Sequence, residues 1–434
     1  MLQSLAFSET NTLFTESLIP NRNVMWMPPG YLLLVGFFFK WFHFSLYSAR
    51  EISLFFYCVS ILLYFKLFCD KKSNLNFLIV AIIFLIPSSL VASNVARMES
   101  LVLALGIASL LATNAARFQL AISLVLLGTL FHPNSLYFSL PIIAGLWFER
   151  GEFRRLLQKT KTQDWLMLIC TLSLVAAYIL YVLINIEGFK VDMALQIARK
   201  LTKKPFYTDL RALFFLSITI LFVLVFSWRN NKKQAIFACF ALSGILIFAN
   251  GQEMWYQIYR NIGIGTLILV LVEEVRPAIW KLTSVFILMA GYVASAGLGF
   301  AGMRPAILEG GYLEQKTIIN LQYYLLKLKD KNKGRLSVAF NTTGGDLIFL
   351  NFLKSNDIKL IRWMPVEMTP PRPVDLCIYI SVAQDPLWLR ESMLLDLPEP
   401  KLCRYGVVII YARDQFITLD PSEHLTLAQD LRSL

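Results

Sequence analysis

The sequence predicts a mainly α, polytopic membrane helical bundle of about ten crossings, followed by a small C-terminal extracytoplasmic α/β domain. Three observations carry this. The 434 residues are 56% hydrophobic and 16% charged, include 33 Phe, and have a mean hydropathy of +0.58, too apolar for a soluble domain of that length. The apolar residues fall in discrete runs separated by short loops bearing Lys and Arg. From Met303 on, hydropathy drops and the pattern changes to short strands alternating with helices.

Net charge +12 and a pI near 9.3 are compatible with nucleic-acid binding. The basic residues, however, sit mainly in short loops between apolar runs, as the positive-inside pattern requires, so they are read as topology and as contacts to membrane lipids. No nucleic acid is expected. Of the six cysteines, Cys58, Cys69, Cys170 and Cys239 lie in or beside apolar runs and behave as small hydrophobes. Cys377 and Cys403 fall in a polar region where a disulfide between them is one option.

Residues 1–27 contain no apolar run long enough for a signal peptide or a span, so the chain starts outside the bilayer core. Gly30 to Phe44 is short and interrupted by Lys40 and His43, which predicts a helix at the outer interface anchored by Trp41, Tyr47 and Arg50. Ile52 to Cys69 is a span ending in Asp70-Lys71-Lys72, assigned to the cytoplasm, and Phe77 to Ser93 returns to the outer loop that holds Arg97 and Glu99. Leu101 to Ala112, Leu120 to Phe131 and Leu136 to Phe148 are three short spans. They turn at Arg117 inside and at His132-Pro133-Asn134 outside, and end in a basic cytoplasmic loop from Glu149 to Lys161.

Trp165 to Ile186 leads out to a polar loop, Glu187 to Asp209. There Ala194, Leu195, Ile197, Ala198 and Leu201 recur at helical spacing, which reads either as an amphipathic interfacial helix or as a solvated loop. Ala212 to Trp228, Ala235 to Asn250, Ile262 to Val272 and Thr283 to Phe300 complete the core, with Trp255, Tyr256, Tyr259 and Arg260 in or beside an outer loop. Both termini then lie outside. Three segments follow: residues 1–51 as acidic loop and interfacial helix, 52–302 as membrane core and 303–434 as α/β domain. In the last, Leu313 to Lys327 and Asp346 to Lys354 read as helices, and Arg335 to Phe340, Ile358 to Trp363, Leu376 to Ser381 and Val407 to Tyr411 as strands.

Candidate chemistry gathers on the outer face. Arg97 and Glu99 at the mouth of a span are costly unless paired or wet, so they read as a salt bridge or as a functional pair. His132 before Pro133 is a structural hydrogen-bonding group or a contact to phosphate. Trp255, Tyr256 and Tyr259 form an aromatic belt or stack on a sugar, with Arg260 placed to pair a phosphate. Asn341-Thr342-Thr343-Gly344-Gly345-Asp346 reads as a turn with a helix cap; it lacks the Lys of a phosphate-binding loop, and Asn341-Thr342-Thr343 also matches a glycosylation sequon. Glu9 and Glu16 lie in a polar segment before Pro28-Pro29-Gly30-Tyr31 and an apolar helix. A carboxylate there could serve as general base, with cationic side chains or a divalent metal stabilising a departing phosphate.

The acidic segment with Pro28-Pro29-x-Tyr31, the Arg97-Met98-Glu99 loop, His132-Pro133, the Trp255-Tyr256 loop and the C-terminal α/β domain together resemble the GT-C superfamily of polyprenyl-phosphate-sugar glycosyltransferases, which includes the protein O-mannosyltransferases and lipid A aminoarabinose transferases. What the resemblance implies is an inverting, hexosyltransferase-type enzyme of the cell envelope, in a bacterial inner membrane. It would move a sugar from a polyprenyl-phosphate donor to a glycan, lipid or protein acceptor on the non-cytoplasmic face. Carried over by position, Glu9 is the base and Glu16 the second choice, with Arg97, Glu99, His132, Tyr256 and Arg260 lining the donor or acceptor site. Two departures accompany it: the family opens with a membrane helix that this chain is expected to lack, and Ser8-Glu9-Thr10 stands where the family carries Asp. A transporter or flippase of lipid-linked intermediates is the alternative. It calls for mid-span charges and broken helices, neither of which the sequence pattern suggests. A non-catalytic subunit of the same architecture is the third reading.

Overall fold

The structure, a computed structural model, describes residues 2–14, 24–25, 27–68, 74–94, 96–152, 161–201, 210–251, 254–274, 322–323, 325–330, 333–341, 346–363, 375–379, 408–412 and 415–419. Most of them are helical. In chain order the helices are α1 Leu2–Thr10, α2 Gly30–Phe42, α3 Leu46–Phe68, α4 Asn74–Leu85, α5 Pro87–Ser93, α6 Glu99–Asn114, α7 Phe118–Thr129 and α8 Ser139–Phe148. They continue as α9 Thr162–Ile184, α10 Ile186–Leu201, α11 Leu210–Trp228, α12 Lys232–Gly251, α13 Gln257–Glu274 and α14 Asp346–Ser355.

Three stretches, Ser48–Phe68, Thr162–Ile184 and Lys232–Asn250, are long and apolar enough to cross a membrane and mark a membrane protein. The expected spans at α6, α7 and α8 form shorter helices, and the one at Thr283 to Phe300 lies outside the described residues. The chain divides into two compact units: residues 25–38 with 47–301, and residues 1–24 with 39–46 and 302–434.

Within the larger unit, the helices are tied together at both ends. At one end, Arg117, which precedes α7, forks onto Asp164 in the first turn of α9 through Nε at 3.1 Å and Nη2 at 2.5 Å. Asp164 is only 2% exposed, and its hydrogen bonds hold the Arg117 guanidinium above its ordinary pKa. At that same end Lys232 pairs with Glu149, and Lys233 and Gln234 with Glu273 at 3.0 and 2.7 Å. Helix α9 otherwise buries little more than Thr171, so the Arg117 fork is its main polar attachment. Asp164→Asn removes one arm of that fork, and a thermal-unfolding series should show a loss near the lower end of roughly 1.5–3 kcal/mol, because Arg117 is partly exposed.

Close backbone approach holds α12 to α13. A Cβ at Gly244 would lie 2.5 Å from the Tyr259 carbonyl oxygen, the small-residue contact typical of membrane helix pairs. The span expected from Phe77 to Ser93 is broken at Ile86, because Pro87 has no N–H to continue the helical bonding and instead opens α5. Neighbours satisfy the break: Tyr57 O–H donates to the Phe84 carbonyl at 2.5 Å, and the Asn261 amide reaches the Ser88 and Ser89 hydroxyls at 2.8 and 2.9 Å. This corrects the expectation that the core holds no broken helix.

In the smaller unit, β1 Ser337–Asn341 runs parallel to β2 Lys359–Trp363 on one side and β3 Leu376–Tyr379 on the other. Helix α14 makes the crossover from β1 to β2 that a parallel pair requires. Asp375 caps the start of β1 by accepting the Ser337 N–H at 2.8 Å and hydroxyl at 2.9 Å. The expected strand at Val407 to Tyr411 occurs as β4 Val408–Ala412, in an antiparallel pair with β5 Gln415–Leu419 that the sequence reading missed. Cys377 lies in β3; Cys403, most of Leu313 to Lys327 and residues 342–345 lie outside the described residues. Residues 2–10, expected as part of a polar loop, are helical and stop at Asn11, whose φ of 58° is one that Asn tolerates well.

Candidate functional site

The larger unit brings the outer-loop candidates to one end of the bundle, opposite the Arg117 and Lys232 ion pairs. Arg97 lies between α5 and α6. Its Nε donates to both carboxylate oxygens of Glu99, at 3.1 and 3.3 Å, and Glu99 is 2% exposed at the start of α6, where the helix dipole favours a carboxylate. The guanidinium lies 4.2 Å from the Trp255 ring centroid, in cation–π contact. That contact occupies one face of the indole, so sugar stacking on that face is ruled out. The Trp255 indole N–H is buried and has no hydrogen-bond partner among the described residues.

Tyr256 continues the cluster. Its hydroxyl is 3.2 Å from Nε2 of His132, and the two rings meet edge to face. His132 Nδ1 accepts the Asn134 N–H at 3.0 Å, capping the turn Pro133–Phe138. A ring nitrogen that accepts carries no proton, so in the neutral ring Nε2 holds it and donates to Tyr256. His132 therefore bonds the turn through one nitrogen and Tyr256 through the other. Tyr259, expected with them as a sugar-stacking or interfacial ring, is instead fully buried and donates its hydroxyl to the Glu99 carbonyl at 2.9 Å.

The motif Pro28-Pro29-Gly30-Tyr31 connects the two loops. Pro29 supplies the carbonyl that accepts Leu33 N–H and starts α2, a position where a missing donor costs nothing. Gly30 N–H donates to the Leu130 carbonyl at 3.0 Å, two residues before His132. Tyr31 reaches Ser53 in α3, and Ser53 holds the backbone of Arg97. Just upstream, Met25 N–H donates to the buried Asp192 carboxylate of α10 at 2.6 Å, so the helix anticipated within Glu187 to Asp209 forms and anchors this segment. Trp41 at the end of α2 is 77% exposed, as an interfacial anchor would be.

Arg260 sits one residue beyond Tyr259. It donates to Asn261 at 3.2 Å and lies 5.0 Å from the Phe248 ring centroid. Glu9 belongs to the smaller unit, at the end of α1, where its carboxylate pairs with Lys354 in the last turn of α14. Lys40 there donates to Asn11 and lies 5.5 Å from the Phe7 ring centroid. The expectation of Glu9 in a solvated loop is therefore replaced by a helical, ion-paired carboxylate. Glu16 lies outside the described residues. No group of three His, Cys, Asp or Glu side chains able to hold a metal occurs among the described residues.

No family model, curated protein or solved structure matches this chain. Its function is read from the site's own chemistry. An arginine fixed by a buried carboxylate, a buried indole N–H with no acceptor among the described residues, and a buried histidine–tyrosine pair stand at one end of the larger unit. Hydrogen-bond donors grouped in this way suit an oxyanion. Ser53 was missed because an isolated Ser inside an apolar helix carries no periodic signal; only its partners reveal it.

Proposed function

We propose that the protein is a multi-pass membrane glycosyltransferase of GT-C type, with about ten crossings, both termini and the C-terminal α/β domain outside the cytoplasm, in a bacterial inner membrane. It transfers a sugar from a polyprenyl-phosphate donor to a glycan, lipid or protein acceptor. The observation that supports this best is the Arg97 guanidinium, locked to buried Glu99 and laid on Trp255, whose indole N–H has no acceptor among the described residues. A phosphate ester satisfies that donor and answers that charge.

In the reaction, the acceptor hydroxyl loses its proton to a carboxylate as its oxygen bonds to the sugar C1. The bond from C1 to the phosphate oxygen breaks, its electron pair leaves with the polyprenyl phosphate, and C1 inverts. Arg97 and Trp255 stabilise the charge gathering on the leaving phosphate, with Arg260, His132 and Tyr256 around the donor. Glu9 is the base in this scheme on its position in the resemblance alone; it belongs to the smaller unit, where it pairs with Lys354. Membranes containing the protein should consume a polyprenyl-phosphate sugar, and Glu9→Gln should abolish this while leaving expression intact. Full activity in that variant removes Glu9 from the role.

One observation favours the second reading, a transporter or flippase of lipid-linked intermediates. The break at Pro87, with buried Asn261 bridging Ser88 and Ser89, is the kind of interrupted helix that transporters place around a substrate path. Its polar groups are neutral and mutually satisfied, which suits a structural bend.

A further inference from the structure

We propose that Tyr31 is a positioning residue of the candidate site: through Ser53 it fixes the backbone of Arg97 and so aims the guanidinium that receives the phosphate. The proton count sets the direction of this relay. Ser53 Oγ donates to the Arg97 carbonyl at 2.7 Å and accepts the Arg97 N–H at 3.1 Å. A serine hydroxyl has one proton, and here it is committed to the carbonyl. The 2.9 Å contact between Tyr31 and Ser53 can therefore be made only with the tyrosine as donor. Burial pushes the Tyr31 phenol up, which keeps that proton in place.

One hydroxyl thus clamps both backbone groups of a single residue, and Tyr31 locks the clamp. With Arg97 held at N–H and C=O, its side chain leaves the loop in one direction, toward Glu99 and the face of Trp255. Tyr31 acts from the first turn of α2 and Ser53 from α3, and Ser53 meets Arg97 at its backbone, not at its guanidinium. The same four-residue motif holds the His132 loop through Gly30, so both halves of the site are referred to one short stretch of chain. The relay itself stands on hydrogen-bond geometry; only its purpose rests on the phosphate-ester reading above.

Two measurements on the full chain in nanodiscs test this. Hydrogen–deuterium exchange of the segment containing Arg97 should be roughly fivefold faster in Ser53→Ala, and faster to a smaller degree in Tyr31→Phe, which changes no shape. Equilibrium binding of farnesyl phosphate should weaken about tenfold in Tyr31→Phe, and the same substitution should have no further effect in an Arg97→Ala background. Unchanged exchange in both variants overturns the relay, as does an equal loss of binding with and without Arg97. Faster exchange with no binding of farnesyl phosphate by the native protein upholds the relay and removes the phosphate-ester reading.

Discussion

Arg97→Ala is expected to lower sugar transfer by about 10²–10³-fold, the usual cost of removing one fixed donor from a developing oxyanion. It also leaves the Glu99 carboxylate, 2% exposed, without its cation. Breaking a buried pair from one side costs roughly 3–5 kcal/mol, and the partial exposure of Arg97 places this case near the low end. The two losses separate in a double variant. Adding Glu99→Gln to Arg97→Ala removes the stranded charge, so thermal stability should return toward that of the native protein while transfer stays lost. If transfer returns together with stability, Arg97 serves only to neutralise Glu99.

Gly30→Ala is the second large effect. A Cβ at this position would lie 2.5 Å from the Leu130 carbonyl oxygen and 3.1 Å from the Phe131 ring, and the first of these is backbone that cannot swing aside. Relief requires the start of α2 to move off the end of α7, which breaks the Gly30 to Leu130 hydrogen bond and shifts the His132 turn. Overpacking of this kind costs roughly 1–3 kcal/mol, and transfer should fall at least tenfold because a site displaced by an ångström loses its alignment. Gly151→Ala makes the matched control: its Cβ would meet nothing within 4 Å, and neither stability nor transfer should change. Equal behaviour of the two variants would show that the approach of Gly30 to Leu130 is not required.

The helical, membrane-bound character was legible because apolar runs broken by basic loops have few other physical solutions. Grouping Arg97, Glu99, His132, Trp255 and Tyr256 was also within reach, since topology alone placed them on one face. What could not be read was how they meet. That Trp255 carries Arg97 on its face, and that Ser53 grips Arg97 across 44 residues of chain, depend on helix rotation and register, which hydropathy does not encode. Pro87 was visible but lay in an otherwise continuous apolar run, so the span was drawn straight through it. The helix at Leu2–Thr10 was obscured by its polar residues, and the ion pair between Glu9 and Lys354 joins residues 345 apart in the chain. The parallel strands were legible from their short apolar runs and from the helix between the first two.

The most direct test uses proteoliposomes holding the full chain, a polyprenyl-phosphate hexose labelled in the sugar, and an envelope extract as acceptor source. Transfer predicts that label leaves the polyprenyl phosphate for a new product, that free polyprenyl phosphate accumulates in equal amount, and that Arg97→Ala stops both. Label that crosses the bilayer while still joined to its polyprenyl phosphate, with no new product, would contradict transfer and establish the transport reading instead.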